Sequence, residues 1–144
     1  MNTSIDLQQL VSVMGDALVV CDTQGNITLW NPAAEYMFGF SEAEALGHSL
    51  DLIIPERLRQ RHWEGYHKTM ATGQTRYGHD VLRVPATNKA GTPMSISFTV
   101  ALLHDAAGKV TGIASVIRDE TVKFKEERLM RQRLAELESS AAKN

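Results

Sequence analysis

The sequence predicts an α+β domain in which five antiparallel strands form one sheet and the helices gather on one of its faces. Three observations carry this. Two short β-rich segments near the N-terminus are followed by a run of short helices, and three longer strand segments come only after them. Strands and helices in blocks describe an α+β layout, not an alternating parallel one. In the long strand candidate Ile96, Phe98 and Val100 alternate with Ser95, Ser97 and Thr99, as in an antiparallel strand with one covered face. Turn chemistry separates the strands at Asp22-Thr23-Gln24-Gly25-Asn26, Asn88-Lys89-Ala90-Gly91 and Asp105-Ala106-Ala107-Gly108.

The first helix is expected over Ser4 to Met14, where Leu7, Leu10, Val11 and Met14 follow the i, i+3, i+4, i+7 spacing. Ser4 is its expected cap and Gly15 its stop. Ala17–Cys21 and Ile27–Trp30 read as a β-hairpin. Asn31-Pro32 places an N-cap before a proline at the first helical position, so a short helix runs to Met37 and stops near Gly39. Ser41-Glu42-Ala43-Glu44 is a capping box that starts another short helix, which Gly47 ends. Leu50–Ile54 is a brief apolar stretch halted by Pro55. The longest internal helix is expected over Glu56–Ala71, closed by Gly73. Strands are expected over Tyr77–Val84, Met94–Leu103 and Val110–Ile117, with Arg118-Asp119-Glu120-Thr121 breaking the sheet before a polar helix from Val122 to Ala141.

Composition narrows the function classes. The chain has 144 residues, room for one domain with a real core. Fifteen Lys and Arg against 17 Asp and Glu give a net charge of −2, which disfavours nucleic-acid binding driven by bulk charge. The lone Cys21 excludes an intrachain disulfide. With no signal peptide and no apolar run long enough to span a bilayer, a cytoplasmic location is expected. No nucleophile elbow, P-loop or cysteine cluster occurs in the sequence, so no enzymatic activity is expected.

The consecutive motifs resemble those of PAS domains over about residues 15–121. They run through Gly15-Asp16-Ala17-Leu18-Val19-Val20, Trp30-Asn31-Pro32-Ala33-Ala34-Glu35, Phe38-Gly39-Phe40-Ser41 and Glu44-Ala45-Leu46-Gly47. Ile54-Pro55-Glu56-Arg57, Ala90-Gly91-Thr92-Pro93 and Arg118-Asp119-Glu120-Thr121 complete them. Each is weak alone; their order and spacing carry the likeness. The resemblance implies a sensory module with a central small-molecule cavity. Residues 1–14 then form an N-terminal helix and 122–144 a C-terminal signalling helix. Asp119, Glu120 and Thr121 resemble the element that hands movement of such a core to a following helix.

Among cofactor-bearing members, the stretch around His62 is similar to the proximal histidine helix of rhizobial haem-based oxygen-sensor kinases. This implies haem bound through His62, with Tyr66, Leu82, Ile96 and Phe98 on the cavity wall. Where those sensors hold oxygen with a strand arginine, this sequence has Leu82, with Arg83 one residue on; a one-residue step along a strand points to the opposite face. A flavin is disfavoured, because light-sensing members carry a cysteine in the helical region and Cys21 is on the first strand. In the alternative reading His62 hydrogen-bonds a backbone group, Trp63 and Tyr66 are core residues, and the domain is a ligand-free dimerisation or docking module. Arg57, Arg59 and Arg61 form a small basic stripe beside it. Met130, Leu134 and Leu137 supply about one heptad of apolar seam. A homodimer is expected through the terminal helices, with the signal leaving to a separate partner or an output domain outside these residues.

Overall fold

The computed structural model describes residues 4–75 and 78–142. Strands β1 (Ala17–Asp22), β2 (Ile27–Trp30), β3 (Leu82–Thr87), β4 (Pro93–His104) and β5 (Val110–Asp119) form one antiparallel sheet of order β2-β1-β5-β4-β3. Helices α1 (Leu7–Val13), α2 (Pro32–Phe38), α3 (Glu42–Ala45), α4 (Arg59–Thr72) and α5 (Thr121–Ala142) complete it, with 3-10 turns at Leu50–Ile53 and Glu56–Leu58. The α+β five-stranded architecture is the one the sequence predicts.

The core lies between the sheet and α2–α4. Ala17, Val19 and Cys21 of β1 point inward, as do Met94 and Ile96 of β4 and Ile117 of β5. Leu18 and Val20 on the other face are half-buried. β1 is an inner strand, paired to β2 and β5, and is apolar on both faces. Trp30, Phe38 and Ile27 are the largest fully buried side chains; each contributes roughly 1.5–3 kcal/mol by burial. The Trp30 and Phe38 rings lie 5.5 Å apart, and the Trp30 indole donates to the Phe40 carbonyl at 2.9 Å.

The predicted hairpin, the proline-led α2 and the capping box of α3 are all present. Several boundaries differ, each for a physical reason. α1 starts later than expected because Asp6, not Ser4, accepts from the Gln9 N–H. It ends at Met14, whose backbone is already extended before Gly15. The Leu50 segment tightens into a 3-10 turn capped by the Ser49 hydroxyl. The first turn of the long helix is also 3-10, since Pro55 offers no side-chain cap.

β3 is displaced C-terminally from the expected Tyr77–Val84, of which Tyr77 lies outside the described residues. Gly78 and His79 form a turn, and pairing begins at Leu82 opposite Phe98. The strand continues through Pro85, which an edge strand tolerates because its outward side needs no N–H donor. β5 runs through Arg118 to Asp119, two residues past the expected strand end at Ile117.

Candidate functional site

α4 presents Arg59, His62, Trp63, Tyr66 and Met70 to the body of the domain at helical spacing. Its polar anchors go to two places. Arg59 donates to the Ile54 carbonyl at 3.1 Å and to the Asp51 carbonyl at 3.3 Å, and the Trp63 indole donates to the Asp51 carboxylate at 2.7 Å. Tyr66, which is buried, donates its hydroxyl to the backbone carbonyl of Asp22 at the end of β1. Trp63 lies over the hairpin turn: a Cβ on Gly25, whose φ is +84°, would sit 2.2 Å from its ring. The Asp22 carboxylate stiffens that turn by accepting from the Gln24 and Asn26 N–H groups.

His62 is half-buried beside these aromatics, with ring centroids 4.6 Å from Trp63 and 5.9 Å from Tyr66. Its Nδ1 is buried with no hydrogen-bond partner, so the backbone bond of the alternative reading is not made at that atom. Burial holds the imidazole below its ordinary pKa, opposed by the Asp51 carboxylate and assisted by His67. The ring is thus a neutral donor with an unused nitrogen, which fits the chemistry of an axial haem ligand. Burial likewise pushes the Tyr66 phenol up and the Cys21 thiol to about 12, so both stay protonated.

The strand candidates share the inner face. Leu82 is opposite Phe98 and Val84 opposite Ile96, while Ile96 and Tyr66 belong to one buried cluster on which Phe98 packs. Arg83 is opposite Ser97 and exposed, on the outer face, while Leu82 is half-buried on the same face as Phe98. The basic stripe does not act as one unit: Arg59 is spent on the Asp51–Ile54 segment, while Arg57 and Arg61 are exposed. His48, His79 and His104 are exposed.

Open cavities of about 250 and 260 Å³ lie against the sheet, the first also touching Val84 and Ile96. One is bounded by Arg83, Pro85, Ser95, Lys123 and Phe124 between the sheet and the start of α5; the other lies over Thr99, Ala101, Ala114 and Val116. Neither is lined by His62.

Asp119, Glu120 and Thr121 form a joint between β5 and α5. The Asp119 carboxylate accepts from the Thr121 N–H at 2.9 Å and from its hydroxyl at 2.5 Å. The joint is fastened to β4: Glu120 N–H donates to the Ser95 carbonyl at 2.8 Å, Ser95 N–H donates to the Thr121 hydroxyl at 3.0 Å, and the Ser97 hydroxyl donates to the Glu120 carboxylate at 3.2 Å. Sequence reasoning missed Ser95 and Ser97 as receivers; their signal was a polar outer face on a strand that a helix start would cover.

It also missed the reach of Asn31. This buried side chain caps α2 by accepting from Ala34 N–H at 3.0 Å, and it accepts from Leu18 N–H at 2.9 Å. Its amide donates to the carbonyls of Val11 and Asp16, both at 3.1 Å. Asp16 in turn pairs with Arg118 at 3.0 Å.

Comparison with known proteins places this geometry. A family model described as the PAS fold matches residues 11–123. The chain is 41% identical over 56 residues to the sensor protein FixL of Bradyrhizobium diazoefficiens, covering 39% of the chain and 11% of that protein. It is 27% identical over 121 residues to the oxygen sensor protein DosP of Escherichia coli, covering 84% of the chain and 15% of that protein. The chain therefore spans only a small part of the length of these relatives. Among solved structures, a PAS domain from Colwellia psychrerythraea matches with a TM-score of 0.69 at 20% identity, over 80% of this chain and 94% of that one. The PAS domain of Bordetella pertussis BvgS matches at 0.63 and 19%, over 93% and 95%. The sequential motifs, the β2-β1-β5-β4-β3 sheet and the family match agree, and the chain belongs to the PAS family of sensory domains.

Proposed function

We propose that residues 15–121 are a sensor core that holds a small ligand or cofactor, haem through His62 ahead of others, on the helical side of its sheet. Residues 1–14 and 122–144 are then its flanking helices. The observation that carries this reading is the buried, unpartnered Nδ1 of His62 on the core-facing side of α4. Leu82, Ile96 and Phe98 supply the apolar wall, and Tyr66 the aromatic one. The likeness to a relative named as an oxygen sensor supports the same choice. Haem iron, when bound, supplies a position for a diatomic gas. This chain's own part is to present a neutral imidazole, exclude water with apolar strand residues, and pass any shift of the sheet to α5 through Asp119, Glu120 and Thr121.

Titration of the purified protein with haemin tests the reading. A Soret band that saturates near one equivalent and is lost in His62→Ala is expected. A band of equal strength in His62→Ala, or no band at all, overturns the haem assignment. Retention of another ligand on native mass spectrometry would move the proposal to that ligand.

A second reading, a dimerisation or docking module without ligand, is favoured by a different observation. Leu7 and Leu10 on α1 and Met130, Leu134 and Leu137 on α5 are exposed, and Trp63 and Tyr66 are already engaged by the chain itself. In either reading these helices pair two copies. Sedimentation at micromolar concentration is expected to give a dimer that Leu134→Glu with Leu137→Glu dissociates; a monomeric parent refutes the pairing.

A further inference from the structure

We propose that Tyr66 is a positioning residue that couples α4 to the start of α5, through its hydrogen bond to the Asp22 carbonyl and the β1–β5 strand pair. Among the described residues, Tyr66 alone on α4 donates a side-chain hydrogen bond to a strand. Arg59 and Trp63 both anchor to the Asp51–Ile54 segment. α4 is therefore held at two separate places, and only the Tyr66 bond reaches the sheet.

The bond lands at a close approach of two strands. Asp22 is in register with Gly112 of β5, and a Cβ on Gly112 would sit 2.4 Å from the Cys21 carbonyl. The two strands are in register from Ala17 opposite Ile117 to Asp22 opposite Gly112. Within the β1–β5 pair no bulge absorbs a shift of the Asp22 end; the β1 irregularity lies on its β2 side and the β5 irregularity on its β4 side, opposite Leu103 and His104. β5 then runs from Gly112 to Asp119, about 24 Å at strand rise, and Asp119 holds Thr121 at the first turn of α5. A movement of α4 that strains or releases the Tyr66 bond is felt at Asp119, while one taken up by Trp63 is felt in the Asp51–Ile54 segment and at the Gly25 turn that its ring covers.

The inference rests on the sensory reading only for what would move α4. The coupling is tested without any ligand, so a failed haemin titration and a failure here are separate results. Hydrogen exchange with mass spectrometry on the full chain is the measurement. Tyr66→Phe keeps the ring and removes the hydroxyl. It is expected to speed exchange at least about ten-fold in peptides spanning 112–124, with peptides of α2 unchanged. Trp63→Phe removes the other anchor and is expected to speed exchange in α4, around Asp51 and at the Gly25 turn while leaving 112–124 within about two-fold. Because coupling is reciprocal, Thr121→Val in a chain with Tyr66 intact is expected to speed exchange at residues 22–26. This third variant keeps the test decisive should Tyr66→Phe fold poorly. Acceleration by Tyr66→Phe confined to α4 and residues 22–26, equal acceleration of 112–124 by Trp63→Phe, or no response of 22–26 to Thr121→Val overturns the proposal.

Discussion

Replacing Asn31 with alanine is expected to destabilise the domain by about 3 kcal/mol, well beyond the loss of a helix cap. The magnitude follows from its four bonds. Losing the cap at Ala34 N–H costs about 1 kcal/mol. The Leu18 N–H and the Val11 and Asp16 carbonyls lose partners as well, at roughly 0.5–1 kcal/mol each net of what water recovers. Val11 and Asp16 are half-buried, so their carbonyls regain some hydration. Ala34 is fully buried, so its N–H does not. Urea unfolding followed by circular dichroism measures this as a fall in midpoint at constant m; thermal melting should fall by about 6–12 °C for a chain of this size. Ser41→Ala is the comparison, because Ser41 caps α3 through an exposed capping box and has no other role; it should cost about 1 kcal/mol. Equal losses for the two caps, within about 0.5 kcal/mol, would refute the assignment of Asn31 as a four-bond hub. Limited proteolysis adds a second readout, since α1 loses its Val11 anchor in Asn31→Ala and should be clipped first.

Three further outcomes are expected. Gly25→Ala should cost about 2 kcal/mol more than Gly108→Ala, because both glycines have φ +84° but only at Gly25 does the new Cβ strike Trp63; equal melting temperatures would contradict that docking. The His62 imidazole is held below its ordinary pKa by burial, so the unfolded chain binds the proton more readily than the folded one. Its contribution is complete above the unfolded value and lost as pH falls below about 6.5; the parent should lose more stability than His62→Gln between pH 7.5 and 5.5, and parallel losses would count against the buried placement of His62. Glu44, held at about 2 chiefly by the Lys89 ammonium and also by Ser41, should titrate closer to an ordinary glutamate in Lys89→Gln when followed by carbon NMR, and an unmoved titration would show the pair is not formed in solution.

Much of this fold is legible in the sequence because its signals are local. Asn31-Pro32, the Ser41 to Glu44 box and Gly39 each fix a helix end through atoms within four residues of one another. The misread parts depend on partners distant in sequence. Pro85 halts an isolated strand, but β3 has a free edge and carries on through it to Thr87. The candidate site divides in the same way. Its inner wall of Leu82, Ile96 and Phe98 follows from strand alternation. The anchors of Trp63 to Asp51 and Tyr66 to Asp22 bridge 12 and 44 positions, and no spacing rule announces them. Nor did side-chain chemistry alone show that Arg59 faces carbonyls while its neighbours Arg57 and Arg61 face water.

The Asp16–Arg118 pair has a consequence for how such a unit is carried in a longer chain. β1 begins and β5 ends side by side, so the polypeptide enters and leaves the domain at nearly one point. The roughly hundred residues between then act as a point insertion: a helical rod could host the domain with little change in its own length. A rearrangement inside the domain would alter the angle, twist or phase at that node much more readily than it would stretch the rod. A single carboxylate and a single guanidinium, 3.0 Å apart, sit at that node beside the paired strand ends.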